Sequence, residues 1–98
     1  MDDIKQIQKT AFNLKNPTKL LIIKYLSNKE ASNQEIYEAL KKTLTIKYRS
    51  AIHGALKDLH EMGLIEKYYD NLDSKIKYRL IVKKVNIDLE KLKISFTQ

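Results

Sequence analysis

Basic and polar side chains cluster on one face of a predicted helix at residues 47–62, and their types suit contact with a polyanion. With Ile52 at the centre of the buried face and about 100° per residue, the opposite face and its flanks carry Lys47, Arg49, Ser50, His53, Gly54 and Lys57. Residues 41–57 contain no acidic residue. Their lysines and arginine are Lys41, Lys42, Lys47, Arg49 and Lys57. Such side chains reach base edges and phosphates from a helix in the major groove. The pattern predicts contact with double-stranded DNA, with sequence preference set by residues 48–57, beginning at Tyr48; the alternative is a solvated helix surface.

Gly54 is unusual at the middle of this helix, because glycine there costs about 1 kcal/mol relative to alanine. Two explanations fit the sequence. Either the helix backbone approaches DNA closely at Gly54, or another helix crosses at this point and leaves no room for a side chain.

A second group of basic residues surrounds the loop of a predicted hairpin at about residues 64–82: Lys67, Lys75, Lys77 and Arg79. Turn chemistry at residues 70–74 separates two segments that favour strands. Lys75, Lys77 and Arg79 are the expected contacts to phosphates or to the minor groove, whereas Asp70 and Asp73 in the same loop oppose that role. The alternative is that these three are ordinary exposed strand positions.

The elements that position these residues are marked by local signals. Asn16 followed by Pro17 predicts a helix start, Ser32 with Glu35 forms a capping box, and Gly63 stands where a helix ends. An earlier helix from Asp3 to about Asn13 carries its apolar stripe at Ile4, Ile7, Ala11 and Leu14. The order of helices followed by a hairpin predicts a mainly α winged helix-turn-helix fold with a small β-hairpin.

The last predicted strand alternates between apolar and basic residues. Its apolar residues are expected to face the core: Ile76, Tyr78, Leu80 and Val82. The tail at 84–98 fits two structures. Val85, Ile87 and Leu89 alternate as in a strand, whereas Val85, Leu89, Leu92 and Phe96 share one helical stripe. The helix is favoured, because Glu90-Lys91 is a poor two-residue hairpin turn.

Apolar residues on the terminal segments, 1–14 and 84–98, exceed what one small core readily covers. Pairing of the two segments across a two-fold axis would bury them, which predicts a homodimer and two DNA half-sites. The alternative is that both segments pack back on their own domain.

Composition limits the function further. The 98 residues predict one domain, and a formal net charge of +7 with a pI near 9.5 favours a nucleic acid partner. Without cysteine there is no disulfide and no thiolate site, and two histidines make a metal site unconvincing. No signal peptide and no membrane span are recognisable, so we expect a cytoplasmic protein without membrane contact. No catalytic grouping or phosphate loop is present, and neither an enzyme nor a cofactor is expected.

Three segments resemble one family. Residues 16–26 (NPTKLLIIKYL) look like the NPTRLKILKYL opening of ArsR-like winged-helix repressors, residues 55–65 (ALKDLHEMGLI) resemble the end of their recognition helix, and residues 78–80 (YRL) resemble the close of their wing. The resemblance implies a dimer that binds an operator by recognition helix and wing, with terminal helices at the dimer contact. The family's metal sensors use a cysteine pair that this chain lacks, and its Ser-x-His-Leu stretch is replaced at residues 53–56, so sequence preference does not carry over.

These observations predict a sequence-specific double-stranded DNA-binding transcriptional regulator, a homodimeric repressor. The alternatives are a winged-helix module that binds another protein, or a non-specific architectural DNA binder. Recognition of single-stranded RNA is disfavoured because the chain lacks an aromatic stacking platform.

Overall fold

The computed structural model describes residues 2–45 and 49–98. Within these residues the helices are α1 (Asp2–Leu14), α2 (Pro17–Leu26), α3 (Asn33–Leu44) and α4 (Arg49–Glu61), and the strands are β1 (Ala31–Ser32), β2 (Ile65–Asp70), β3 (Lys75–Leu80), β4 (Lys84–Asp88) and β5 (Lys93–Thr97). An antiparallel sheet has the order β1-β3-β2, and β4 pairs with β5 in a separate hairpin. This arrangement confirms the predicted mainly α winged helix-turn-helix fold.

Side-chain caps begin α2 and α3 as predicted. The Asn16 side chain accepts a hydrogen bond from the Lys19 backbone N–H at 3.0 Å, and Pro17 is the first helical residue. At α3, Ser32 Oγ accepts from the Glu35 N–H at 3.2 Å, while a Glu35 carboxylate oxygen accepts from the Ser32 N–H at 2.8 Å. The hydrogen bond from Ser32 lowers the pKa of Glu35. Both starts therefore satisfy amides that a helix leaves unpaired.

The end of α4 is a Schellman motif on Gly63, whose φ is 80°. The Gly63 N–H donates to the His60 carbonyl at 2.9 Å, and the Leu64 N–H donates to the Leu59 carbonyl at 3.1 Å. Helix α3 ends at Leu44, and Thr45, which has a left-handed backbone conformation, follows it. The predicted first residues of the recognition helix, Lys47 and Tyr48, lie outside the described residues.

The core lies between α2, α3, α4 and the inner face of the sheet. Its fully buried large side chains include Ile22, Ile36, Ile52, Leu56, Leu59 and Ile65. Leu44, Leu80 and several residues of α2 pack around them. The α4 residues of this cluster are those that the 3.6-residue period assigned to the buried face.

Strand β1 is a third strand that the sequence did not reveal. Ala31 pairs with Tyr78 and Ser32 pairs with Lys77, so β3 is the central strand of the sheet. Two residues are too few to show an alternating pattern, which explains why only a two-stranded hairpin was predicted.

The two faces of β2 and β3 differ because their side chains alternate. The inner face, toward α4 and the core, carries Ile65 and Leu80, then Lys67 and Tyr78, then Tyr69 and Ile76 as cross-strand pairs. Ile76 was expected on the buried side of this strand with Tyr78, yet 51% of its surface is exposed. The strands extend beyond the core at this point, so burial ends before the strand does.

The buried face of α1 is rotated from the predicted stripe. Thr10 and Asn13 are buried, whereas Ile4 and Ala11 are exposed. The helix packs on β5 and α2, and Asp3 accepts a hydrogen bond from the Ile94 N–H at 3.1 Å. The face of α1 that is covered is thus determined by its contact with the terminal strand β5. The apolar pattern of α1 alone does not include this contact.

The tail forms a β-hairpin, so the favoured helix at 84–98 is wrong. The loop has four residues, since Asp88 pairs with Lys93, and the objection to a two-residue turn does not apply. The Asp88 side chain accepts from the Lys91 N–H at 3.1 Å, and Leu92 adopts a left-handed φ of 52°. Cross-strand pairing places four apolar side chains on one face: Val85, Ile87, Ile94 and Phe96.

The capping box predicts a measurable contribution to stability. We expect Ser32→Ala to lower the free energy of unfolding by about 1 kcal/mol, because the Glu35 N–H loses its acceptor. Since the pKa of Glu35 is lowered, the contribution of its carboxylate is present at neutral pH and is lost as the pH falls through the folded-state pKa. Urea unfolding should therefore show that the deficit of Glu35→Gln shrinks between pH 7 and about pH 3. Ser95→Ala, at an exposed serine of β5, is the control, and an equal loss in that variant would contradict the assignment.

Candidate nucleic-acid interface

The outer face of α4 presents the predicted DNA-contacting residues that the structure describes. Arg49, Ser50, His53, Gly54 and Lys57 are all exposed, and Ile52 on the opposite face is fully buried. The helical period therefore sorts these side chains as the sequence indicated. Lys47 and Tyr48 lie outside the described residues, so their placement stays a prediction.

The surroundings of Gly54 distinguish between the two explanations for this glycine. A Cβ built on Gly54 would meet no atom within 4 Å among the described residues. The helix crossing is therefore wrong as an explanation, because the position faces open space. Its neighbours Ser50 and Ala51 are also small and exposed, so the helix backbone is accessible along this part of α4.

Arg49 lies at the start of α4, where its guanidinium donates a hydrogen bond to the Gln34 side-chain oxygen of α3. This contact joins the two helices of the helix-turn-helix at their exposed edge. Arg49, Ser50 and His53 also line a shallow depression together with Asn33. Residues from both helices thus contribute to one continuous polar surface.

A buried lysine fixes the position of α4 against the first two helices. The Lys19 ammonium of α2 donates to the Asn13 side-chain oxygen of α1 at 2.6 Å and lies 2.9 Å from an Asp58 carboxylate oxygen of α4. Only 8% of the Lys19 side chain is exposed. Asp58 lies one helical turn beyond Gly54, so the outward face of α4 is held directly by this three-helix contact.

Lys77 on the wing is already paired with carboxylates. Its ammonium lies 2.9 Å from Asp70 and 2.6 Å from Asp73, and 14% of its side chain is exposed. The hydrogen bond that Lys77 donates to Asp73, and then the one it donates to Asp70, raises the pKa of Lys77, and the second of these bonds lowers the pKa of Asp70. The acids of the wing loop therefore hold the lysine that was predicted to contact phosphates.

Arg79 is engaged in a second cluster on the same outer face of the sheet. Its guanidinium pairs with Glu66, lies 3.9 Å from Glu30, and stacks over the Tyr68 ring with 4.7 Å to the centroid. Tyr68 in turn donates a hydrogen bond to Glu30, which raises the pKa of the Tyr68 hydroxyl. This cluster links the strands of the wing to the segment before β1.

Lys75 and Lys67 are the wing lysines that make no ion pair with any residue of the described part of the chain. Lys75 was among the predicted contacts and is exposed near the loop, on the face away from α4. Lys67 was not chosen, although it lies on the face toward α4. Counting in steps of two from the buried Ile65 would have assigned Lys67 to that face.

Two further classes of site are absent from the described residues. No group of three or more histidine, aspartate or glutamate side chains is arranged to hold a metal ion. No helix in the described ranges has the length and apolar character to cross a membrane.

The family model for bacterial regulatory proteins of the arsR family matches residues 16–67, more than half of the 98-residue chain. The matched segment runs from the cap of α2 through the helix-turn-helix into β2. No curated protein and no solved structure matches this chain. With its exposed polar face on α4 and its adjoining wing, the chain belongs to the arsR family and is a DNA-binding transcription regulator of helix-turn-helix type.

Proposed function

We propose that the protein is a homodimeric repressor that binds a specific double-stranded DNA sequence, with α4 in the major groove and the wing on the adjacent backbone. Repression requires only that the dimer occupy its site and exclude other proteins from it. Binding alone achieves this, and the proposal includes no catalytic step, metal or cofactor.

The observation that carries the proposal is the open surface of α4 around Gly54. The absence of a side chain exposes the helix backbone at a position where nothing else in the described chain packs. Ser50 and His53 next to it have hydrogen-bonding groups that suit base edges. The exposed charge of Lys57 suits a phosphate.

The remaining predicted contacts have different roles in this proposal. Arg49 must exchange Gln34 for a base or a phosphate, or hold α3 against α4 while its neighbours contact DNA. Lys77 and Arg79 stabilise the wing through their ion pairs, whereas Lys75 near the loop has no ion pair with any described residue. Most of the predicted basic contacts of the wing are therefore engaged in ion pairs within the described chain.

The alternative of a protein-interaction module is favoured by one feature of the wing. Tyr69 and Ile76 form an exposed cross-strand pair, and Leu72 in the loop is 96% exposed. Exposed apolar residues that lie side by side, as Tyr69 and Ile76 do, are a feature of surfaces that contact another protein. A wing that binds another protein would leave DNA affinity to α4 alone.

The homodimer is supported by apolar side chains on the terminal unit, which α1 and the β4-β5 hairpin form together. Ile4, Ile87, Leu89 and Leu92 are all more than two-fifths exposed. The hydrogen bond between Asp3 and Ile94 brings the start of α1 to the Ile87–Ile94 pair. A second copy across a two-fold axis would cover these residues and place two copies of α4 on one duplex.

DNA binding over a salt series, followed by selection from a randomised duplex pool, tests the main proposal. We expect affinity to fall steeply with salt and an inverted repeat to be enriched. Salt-dependent binding without a motif would indicate an architectural role, and no binding would favour the protein-interaction module.

Gly54→Ala tests the proposed approach of DNA to α4: it should raise the free energy of unfolding by about 1 kcal/mol but weaken binding to the selected sequence. Stabilisation with unchanged affinity would contradict close approach of DNA at Gly54.

The dimer interface is tested by the double variant Leu89→Asp with Leu92→Asp. Both side chains are exposed, and aspartate tolerates the left-handed backbone of Leu92 better than leucine does. Sedimentation equilibrium should show a dimer for the wild type and a monomer for the variant. Leu72→Asp, at the exposed leucine of the wing loop, is the control and should stay dimeric. A dimeric double variant would exclude this hairpin from the interface.

The wing acids are tested by the double variant Asp70→Asn with Asp73→Asn. The change frees the Lys77 ammonium, while the asparagine introduced at position 70 keeps an oxygen that accepts from the Leu72 N–H, as Asp70 does at 2.9 Å. If the wing lies on DNA, affinity rises and the plot of log K against log salt steepens by about one unit, as for one added phosphate contact. Asp88→Asn, in the other hairpin, is the control. Equal behaviour of the two variants would show that Lys77, on the outer face of the wing, does not reach DNA.

A further inference from the structure

A groove of about 380 Å³ lies between α4 and the wing. Leu56 and Tyr78, both buried, contribute its apolar part. Its basic residues are His53, Lys57 and His60 from α4 and Lys67 from β2, and Glu61 contributes one acid. Residues three and four apart on a helix share a face, so the α4 members line one wall, opposite the strand.

The charges of this groove are available to a ligand. Neither Lys57 nor Lys67 has an ion pair within 4.0 Å among the residues that the structure describes. Lys77 and Arg79, by contrast, are neutralised on the opposite face of the sheet. The His60 ring is held at the wall, with Nδ1 3.3 Å from the Ile65 carbonyl oxygen. Free positive charge on the wing side of α4 is therefore concentrated in the groove.

We propose that one phosphate of the DNA backbone lies in this groove, between the ammonium groups of Lys57 and Lys67. The inference rests on the proposed DNA-binding function. A helix in the major groove and a wing over the adjacent minor groove lie on two sides of the sugar-phosphate backbone that separates those grooves. The groove between α4 and β2 is the place where that backbone must pass. The carboxylate of Glu61 places the phosphate toward the end of the groove that His53 and Lys57 line.

The contact positions the protein and does not select sequence. Lysine presents a point charge with rotatable donors, which suits a phosphate oxygen and distinguishes poorly between base edges. Because one cation belongs to the recognition helix and the other to the wing, a shared phosphate fixes both elements on the duplex at once. Lys67 is thereby assigned a role in the register of α4 on DNA.

Lys57→Gln, Lys67→Gln and the double variant test the proposal by binding to random and to selected duplexes over a salt series. We expect each single change to reduce the salt slope by about one unit on both duplexes and to leave their affinity ratio unchanged. Lys93→Gln, at an exposed lysine of β5, is the matched control. Because both lysines contact one phosphate, the double variant should lose less than the two single losses combined.

Three outcomes would overturn the proposal. Lys67→Gln that behaves as Lys93→Gln would remove β2 from the contact, and fully additive losses would indicate two separate phosphates. Binding of inorganic phosphate that is lost in the double variant, together with DNA binding of both single variants equal to that of Lys93→Gln, would assign the groove to a free anion. In each case wild-type DNA binding survives, whereas a wild type that binds no duplex at any salt concentration would overturn the proposed function as well.

Discussion

The position of the recognition helix depends on one buried ammonium group. Lys19 bonds Asn13 of α1 and Asp58 of α4 at 2.6 and 2.9 Å, and so joins three helices at a single point. A buried lysine is costly unless its charge and its donors are satisfied, and these two partners come from elements far apart in sequence. The contact lies beside the Gly54 surface, so the part of α4 that is open to a ligand is also tied to α1 and α2 by this lysine.

The features that the sequence predicted correctly are those set by neighbouring residues. Asn16 and Ser32 cap helices because their side chains bond amides three positions ahead, and Gly63 ends α4 because few other residues adopt its φ. The exposed face of α4 follows from the 3.6-residue period alone. Family membership, through the segment at 16–67, rests on this same local region.

The features that the sequence did not predict depend on partners distant along the chain. The charges of Lys77 and Arg79 indicated a DNA contact, but Asp70 and Glu66 become their partners only when β2 and β3 pair in one register. The buried face of α1 is set by β5, which lies at the other end of the chain. The tail had two compatible periods, and the four-residue loop that selects the hairpin is defined by cross-strand pairing. Lys67 is an exception, because counting in steps of two from Ile65 assigns its side chain to the face toward α4.

The central place of β3 has a consequence for how the molecule folds. Strand β1 directly precedes α3 in the chain, and β2 follows α4. Within the described chain, β1 and β2 each pair with β3 and not with each other. The two strands that flank the helix-turn-helix are therefore held together by β3, which follows both of them in the sequence. The family-matched segment ends at residue 67, before β3 begins at Lys75, so this segment by itself lacks the strand that holds them together. The sheet that joins the two ends of the helix-turn-helix is therefore complete only when residues beyond the family-matched segment are present, and β3 belongs to the framework that holds the recognition helix.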